Sequence, residues 1–182
     1  MNKPQVIAIS GASGCGKTTL IKQLATELNC SSLFFDDYVD EDTYPQDMKK
    51  WLADGANASL IKTPRFTDAL KQLKRTVKSP YIFIEEPFGK EREVMSTLID
   101  KVILLDLPLE ICLARLVKRN ISLNAEKSLK LIPTYLAKYE DYFRDIYLES
   151  VAQVRRNSDL VIEDVDSIGV ISNYIREWLH RH

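Results

Sequence analysis

The sequence predicts a three-layer α/β domain, and three observations carry that prediction. Five short apolar runs alternate with longer helical patterns along 182 residues. A glycine-rich turn lies directly between the first run and the first helix, and no repeat or low-complexity linker divides the chain. The runs are QVIAIS (5–10), SLFF (32–35), YIFIE (81–85), KVILLD (101–106) and DLVIE (159–163). They are apolar almost throughout, as strands covered on both faces must be. They therefore predict one five-stranded parallel sheet with right-handed crossovers and helices on both faces.

The helical stretches follow in order. Residues 17–28 start at the glycine-rich turn, 45–53 and 66–78 lie in the long connection after the second run, and 90–98 follows the third. Pro108 stands where a first helical turn begins, which places a helix over 108–119. The segment 126–155 reads as one long helical stretch in which Pro133 should make a break or a kink, and 167–180 closes the chain. The polar stretch NISLNAEKS supplies a short lid, approximately 119–130. Long connections after the second and fourth strands are where substrate-covering segments arise. Residues 1–182 are expected to form a single domain.

Composition removes several classes of function. A formal net charge of −1 gives no global attraction for nucleic acid or anionic membrane. The basic stretch KQLKRTVK (71–78) has no interleaved aromatic residues for base stacking, so it reads as a charged helix face. Cys15, Cys30 and Cys112 are odd in number and lack C-x-x-C spacing, which argues for reduced thiols in a cytoplasmic protein. No run approaches membrane-spanning length, and no signal-peptide h-region precedes the first strand. Nothing in the sequence marks an oligomer interface. His180 and His182 stand at the C-terminus, where function is not expected.

GASGCGKTT fits G-x-x-x-x-G-K-[ST] at Gly11, Gly16, Lys17 and Thr18. At ordinary residue frequencies a chance match arises roughly once in 150 chains of this length. The apolar strand before it and the helical pattern after it are the context that the motif requires. Such a phosphate loop (P-loop) uses glycines to bring backbone N–H groups and a helix N-terminus close to phosphate oxygens. Gly11, Ala12, Ser13, Gly14, Cys15, Gly16, Lys17, Thr18 and Thr19 are thus the candidate nucleotide-binding residues, with ATP and Mg²⁺ as expected cofactors. Lys17 would reach the β- and γ-phosphates and the Thr18 hydroxyl would ligate Mg²⁺. Cys15 occupies a variable position and reads as a small filler.

A phosphate loop does not name a reaction. The guanine-reading N-K-x-D and the D-x-x-G switch of a GTPase are absent from suitable positions. After the fourth strand comes LDLPLEICLARLVKRN, where Arg115 and Arg119 are four apart and share one helix face. Cations there can close over a transferring phosphoryl group. The acceptor side is acidic. Asp36, Asp37, Asp40, Glu41, Asp42, Asp47 and Asp54 face only Lys49, Lys50 and Lys62 before Arg65. A phosphorylated acceptor would need arginines there, so a small molecule with a free hydroxyl fits better.

Together the phosphate loop, FFDDY, FIEEPF, LPLEICLARLVKR and IPTYLAKYEDYFRDI resemble, in order and approximate spacing, the uridine kinase and phosphoribulokinase superfamily, and the nicotinamide riboside kinases most closely. The similarity spans nearly the whole chain. It implies a P-loop NTPase fold of the nucleoside- and nucleotide-kinase kind, and an ATP-dependent phosphotransferase with an alcohol group as acceptor. It implies that Asp36 accepts the proton of a ribose hydroxyl and that Asp37 either joins the magnesium shell or faces solvent. Glu85 would stand near Mg²⁺ and the acceptor, and Asp47 near ribose hydroxyls. Tyr135 and Tyr139 would border the base, with core packing as the equal alternative. Arg115 and Arg119 match lid arginines, with Lys17, Asp36 and Arg115 as the catalytic set. One departure is EEPFGKERE after the third strand, where a second acid, Glu86, replaces the family's Gly and apolar run. Alternatives remain open: a kinase for pantothenate, a sugar or a coenzyme precursor, a regulatory ATPase without an acceptor, or an RNA-end kinase.

Overall fold

The computed structural model describes residues 3–123 and 125–182. Its strands are β1 (Gln5–Gly11), β2 (Ser31–Leu33), β3 (Tyr81–Glu85), β4 (Lys101–Leu105) and β5 (Leu160–Ile162). All pair in parallel, in the order β2-β3-β1-β4-β5, so β1 is central and its C-terminal end opens between β3 and β4. The alternation of side chains along β1 explains its unbroken apolarity. Ile7 and Ile9 pack on Leu20 and Leu24 of α1 (Lys17–Glu27) and on Ile171 and Ile175 of α8 (Ile168–Arg181). Val6 and Ala8 meet Phe66 and Leu70 of α3 (Pro64–Thr76), Met95 of α4 (Glu93–Ser96) and Val154 of α7 (Arg144–Arg155). With α2 (Met48–Ala53), α5 (Leu109–Leu123) and α6 (Ala125–Lys138), this completes the expected three layers.

Several local expectations change. The second strand ends at Leu33, and Phe35–Tyr38 form a 3₁₀ turn instead. Phe35 is fully buried in a separate cluster with Trp51, Ile61 and Phe88, and this anchor draws the chain off the sheet edge. The expected helix at 90–98 shrinks to α4, because residues 86–92 are a turn held by buried polar contacts.

The expected helix ending at 119 runs on to Leu123, and α6 begins at Ala125. The polar stretch 119–130 is therefore the tip of a helical hairpin, tied by the Ser128 hydroxyl donating to the Asn120 carbonyl at 2.7 Å. Asn124, within the expected lid, lies outside the described residues. Pro133 does not break α6. It is exposed, so water can reach the carbonyl that its missing N–H leaves unpaired. The interruption comes later, as a π-helical turn at Tyr139–Phe143 that separates α6 from α7. Among the described residues no helix is long and apolar enough to cross a membrane.

Candidate active site

The loop from Gly11 to Gly16 leaves the C-terminal end of β1, the edge where parallel sheets bind ligands. Two glycines are required by contact. A Cβ at Gly11 would stand 2.4 Å from the Leu105 carbonyl oxygen, and one at Gly14 only 2.2 Å from that of Cys112, so the loop presses against β4 and α5. Ala12 and Cys15 are buried beneath it, which agrees with Cys15 as a filler. No side chain caps the N-terminus of α1, so its first-turn N–H groups can meet an anion. The Lys17 ammonium donates to the carbonyls of Gly11 (2.9 Å) and Ala12 (3.0 Å) and lies 3.8 Å from Glu85 Oε1. The Thr18 hydroxyl donates to Glu85 Oε2 at 3.0 Å.

These groups enclose a cavity of about 170 Å³. Ser13, Gly14, Gly16, Lys17, Thr18 and Thr19 form one side, and Asp36, Glu85, Arg115 and Arg119 close it. A second cavity of about 450 Å³ adjoins it. Its floor is Gly11, Ala12, Ser13, Lys17, Asp36 and Glu85. Its walls are aromatic: Phe35 and Tyr44 before α2, Phe88 after β3, Tyr135 on α6, and Tyr142, Phe143 and Tyr147 around the π turn. Ser13, Lys17, Asp36 and Glu85 belong to both cavities, and among the described residues Lys17 is the only Lys, Arg or His lining the larger one.

Burial pushes the Glu85 carboxyl above its ordinary range. Lys17 pulls it back, nearby Asp36 adds to the rise, and the Thr18 hydrogen bond lowers it. Burial and the neighbouring Asp36 push the Tyr44 phenol up to about 12. Tyr135 and Tyr147 are raised mainly by burial, and their hydroxyls lie 3.1 Å apart. The aromatic wall therefore offers neutral phenols.

Beneath it the Arg92 guanidinium, fully buried, forks onto the carboxylate of fully buried Glu86 with Nε–Oε1 at 3.2 Å. It also donates to the Thr63 hydroxyl (2.7 Å) and the Ile61 carbonyl (3.2 Å) and stacks 5.3 Å from the Phe35 ring centroid. Phe35 starts the turn that carries Asp36. The second acid of EEPF is thus a structural group that fixes the cavity wall.

Three expected site residues are placed elsewhere. Asp37 is exposed and lines neither cavity. On a 3₁₀ turn, strand alternation no longer sets it apart from Asp36. Asp47 caps α2, its Oδ1 accepting from the Lys50 N–H at 2.9 Å, and also lines neither cavity. Tyr139 is buried at the start of the π turn and faces a separate shallow cavity with Leu109, Leu113 and Leu148. Tyr135 and Tyr139 stay one turn apart with ring centroids 6.3 Å apart, yet only Tyr135 lines the aromatic cavity. The π turn opens after Tyr139, where the Arg144 N–H meets the Tyr139 carbonyl. Tyr44, Phe88, Tyr142, Phe143, Tyr147 and Ser150 are lining residues that spacing does not single out. The visible signal for the last four is aromatic and small residues recurring at helical intervals from 142 to 150.

The oxygens of Thr18 and Glu85 suit a small hard cation that keeps much of its water and takes other ligands from phosphate. Among the described residues no three His, Cys, Asp or Glu side chains converge as a metal group, so a self-contained protein cage is absent there.

A protein-family model described as an AAA domain matches residues 7–130. No curated protein matches the sequence. Among solved structures, the fold is similar to TT1252 of Thermus thermophilus (TM-score 0.60, 18% identity, covering 99% of this chain and 98% of that one). It is also similar to an uncharacterized protein of Eubacterium ventriosum (TM-score 0.56, 15% identity, 99% and 100% covered). A third is a shikimate kinase of Aquifex aeolicus (TM-score 0.55, 15% identity, 97% and 96% covered). These likenesses show the fold, a P-loop NTPase of the kind that kinases use.

Proposed function

The chain belongs to the AAA-domain family, and from that premise and the two joined cavities we propose that it is an ATP- and Mg²⁺-dependent kinase acting on a hydroxyl of a nucleoside-like small molecule, of the uridine or nicotinamide riboside type. One observation carries the reading. The phosphate cradle and the aromatic cavity share Ser13, Lys17, Asp36 and Glu85, which gives a donor phosphate and an acceptor hydroxyl one meeting place.

Bound Mg²⁺-ATP supplies the γ-phosphoryl group and part of its charge neutralisation. Lys17 and the loop amides would hold phosphate oxygens, and Thr18 and Glu85 would hold the metal. Asp36 orients the acceptor hydroxyl and receives its proton. Arg115 and Arg119, one turn apart on α5 and lining the smaller cavity, stabilise the transferring group. Because phosphoryl transfer is largely dissociative, this placement matters more than base strength.

The aromatic walls suit a flat ring. Asp36 and Glu85, with Lys17 as the sole lining cation among the described residues, disfavour an acceptor bearing phosphate or carboxylate, an acid such as shikimate included. The test is ATP consumption with Mg²⁺, alone and with uridine, cytidine, adenosine or nicotinamide riboside. Stimulation by one of them supports the reading. Stimulation by pantothenate or a sugar instead keeps the reaction and changes the acceptor, and an unchanged slow rate across the panel favours an ATPase without an acceptor.

A further inference from the structure

We propose that Ser150 is the residue that reads the acceptor, its hydroxyl hydrogen-bonding a carbonyl or amide edge of the acceptor's ring; this rests on the kinase reading above.

Among the described residues, Ser150 Oγ is the only buried side-chain nitrogen or oxygen without a hydrogen-bond partner. Buried polar atoms are nearly always paired, and leaving one unpaired destabilises the fold. A serine or threonine within a helix can satisfy itself on the carbonyl four residues earlier. Thr26, Thr76 and Ser122 do so here, on Lys22, Gln72 and Lys118 respectively. Ser150 does not.

Its position says what could satisfy it. Ser150 lies one helical turn after Ile146 and Tyr147, and all three line the aromatic cavity. The neighbouring Tyr147 hydroxyl is engaged with that of Tyr135 at 3.1 Å. Ser150 thus carries an uncommitted polar atom at an otherwise largely aromatic wall. The atom is shielded from water in the ligand-free protein, and a turn about the Cα–Cβ bond presents it to a bound acceptor. Asp36 lines both cavities, whereas Ser150 lines the aromatic one alone. The serine therefore meets a part of the acceptor away from the reacting hydroxyl. A hydroxyl both donates and accepts, so it matches a ring carbonyl, an imide N–H or a carboxamide. Sites of this size set specificity with a few such polar groups, and a site built around a hydrogen bond rejects the analogue that lacks it.

The experiment compares wild type with Ser150→Ala, using whichever of uridine and nicotinamide riboside stimulates the wild type. Each is set against its analogue without the imide edge or the carboxamide, 2-pyrimidinone riboside or pyridine riboside. Loss of one neutral hydrogen bond should raise the acceptor KM about tenfold. kcat, the KM for ATP and acceptor-free ATP consumption should stay unchanged. The preference of wild type for the amide-bearing ring should vanish in Ser150→Ala and persist in Ser150→Thr, which keeps the hydroxyl. Acceptor-free Ser150→Ala should melt no lower than wild type, because it removes an unpaired buried hydroxyl. An unchanged KM with the preference intact overturns the Ser150 assignment while leaving the kinase reading standing. If no acceptor stimulates the wild type, the kinase reading fails and this proposal fails with it.

Discussion

The Asp36 carboxylate is exposed and lines both cavities, so Asp36→Asn removes a proton acceptor without disturbing the core. General acid–base help contributes about 10²–10⁴-fold, and kcat should fall at least about a hundredfold while ATP still binds. Near-normal turnover in that variant would remove Asp36 from the role. Lys17→Ala should abolish activity, because no other lining cation stands at the junction of the two cavities among the described residues. Glu85 gives a pH signature. Burial raises its carboxyl pKa above the ordinary value, so the folded state keeps that proton to higher pH than the unfolded chain does. Its contribution to stability is therefore present at acid pH and is lost as pH rises through the raised value. Ligand-free Glu85→Gln should melt higher than wild type at about pH 8 and lose the advantage at about pH 4. A lower melting temperature at the alkaline pH would reverse the assigned sign.

Among the elements, the turn between β3 and α4 carries most of the structural specialisation. Its Glu86–Arg92 pair has no solvent on either side, and Arg92 reaches Thr63, Ile61 and the Phe35 ring together. Removing one member of such a pair leaves a buried charge unopposed, at a typical loss of about 3–5 kcal/mol. Urea unfolding of Arg92→Met should show a loss of that order, with part of it recovered in the Glu86→Gln/Arg92→Met double variant. A double-variant loss equal to the sum of the Arg92→Met and Glu86→Gln losses would argue that the two side chains act independently. Elements legible in the sequence were those whose pattern is local: β1, β3, β4, α1 and α8 follow unbroken apolar runs or strong helical spacing. The 3₁₀ turn at Phe35–Tyr38 and the π turn at Tyr139–Phe143 were not legible. One depends on where Phe35 finds its packing partners, and the other on which phase lets both α6 and α7 pack.

In the whole molecule, the two cavities join only because β1, β3 and the segment after β2 end at one sheet edge. Ligand binding there should stabilise the entire fold. Mg²⁺-ATP at a hundred times its Kd should add about 2.7 kcal/mol. A rise in melting temperature with Mg²⁺-ATP that Lys17→Ala abolishes checks this, and an equal rise in the variant would place the nucleotide elsewhere. Family resemblance offered Asp36 and Glu85, which line one cavity with Arg115 and Arg119. The sequence by itself determined the layered α/β architecture, the phosphate loop and the shared helix face of Arg115 and Arg119. Those features rest on local periodicity and on a motif whose geometry is built from consecutive residues. Tertiary structure alone decided that Asp47 caps a helix, that Tyr139 turns away, and that Glu86 pairs with Arg92 out of water. It also decided that Tyr44, Tyr147 and Ser150 line the aromatic cavity. The physical reason is that a wall is assembled from segments distant in sequence. Each side chain's direction there is fixed by what it packs against, and no spacing along the chain records that partner.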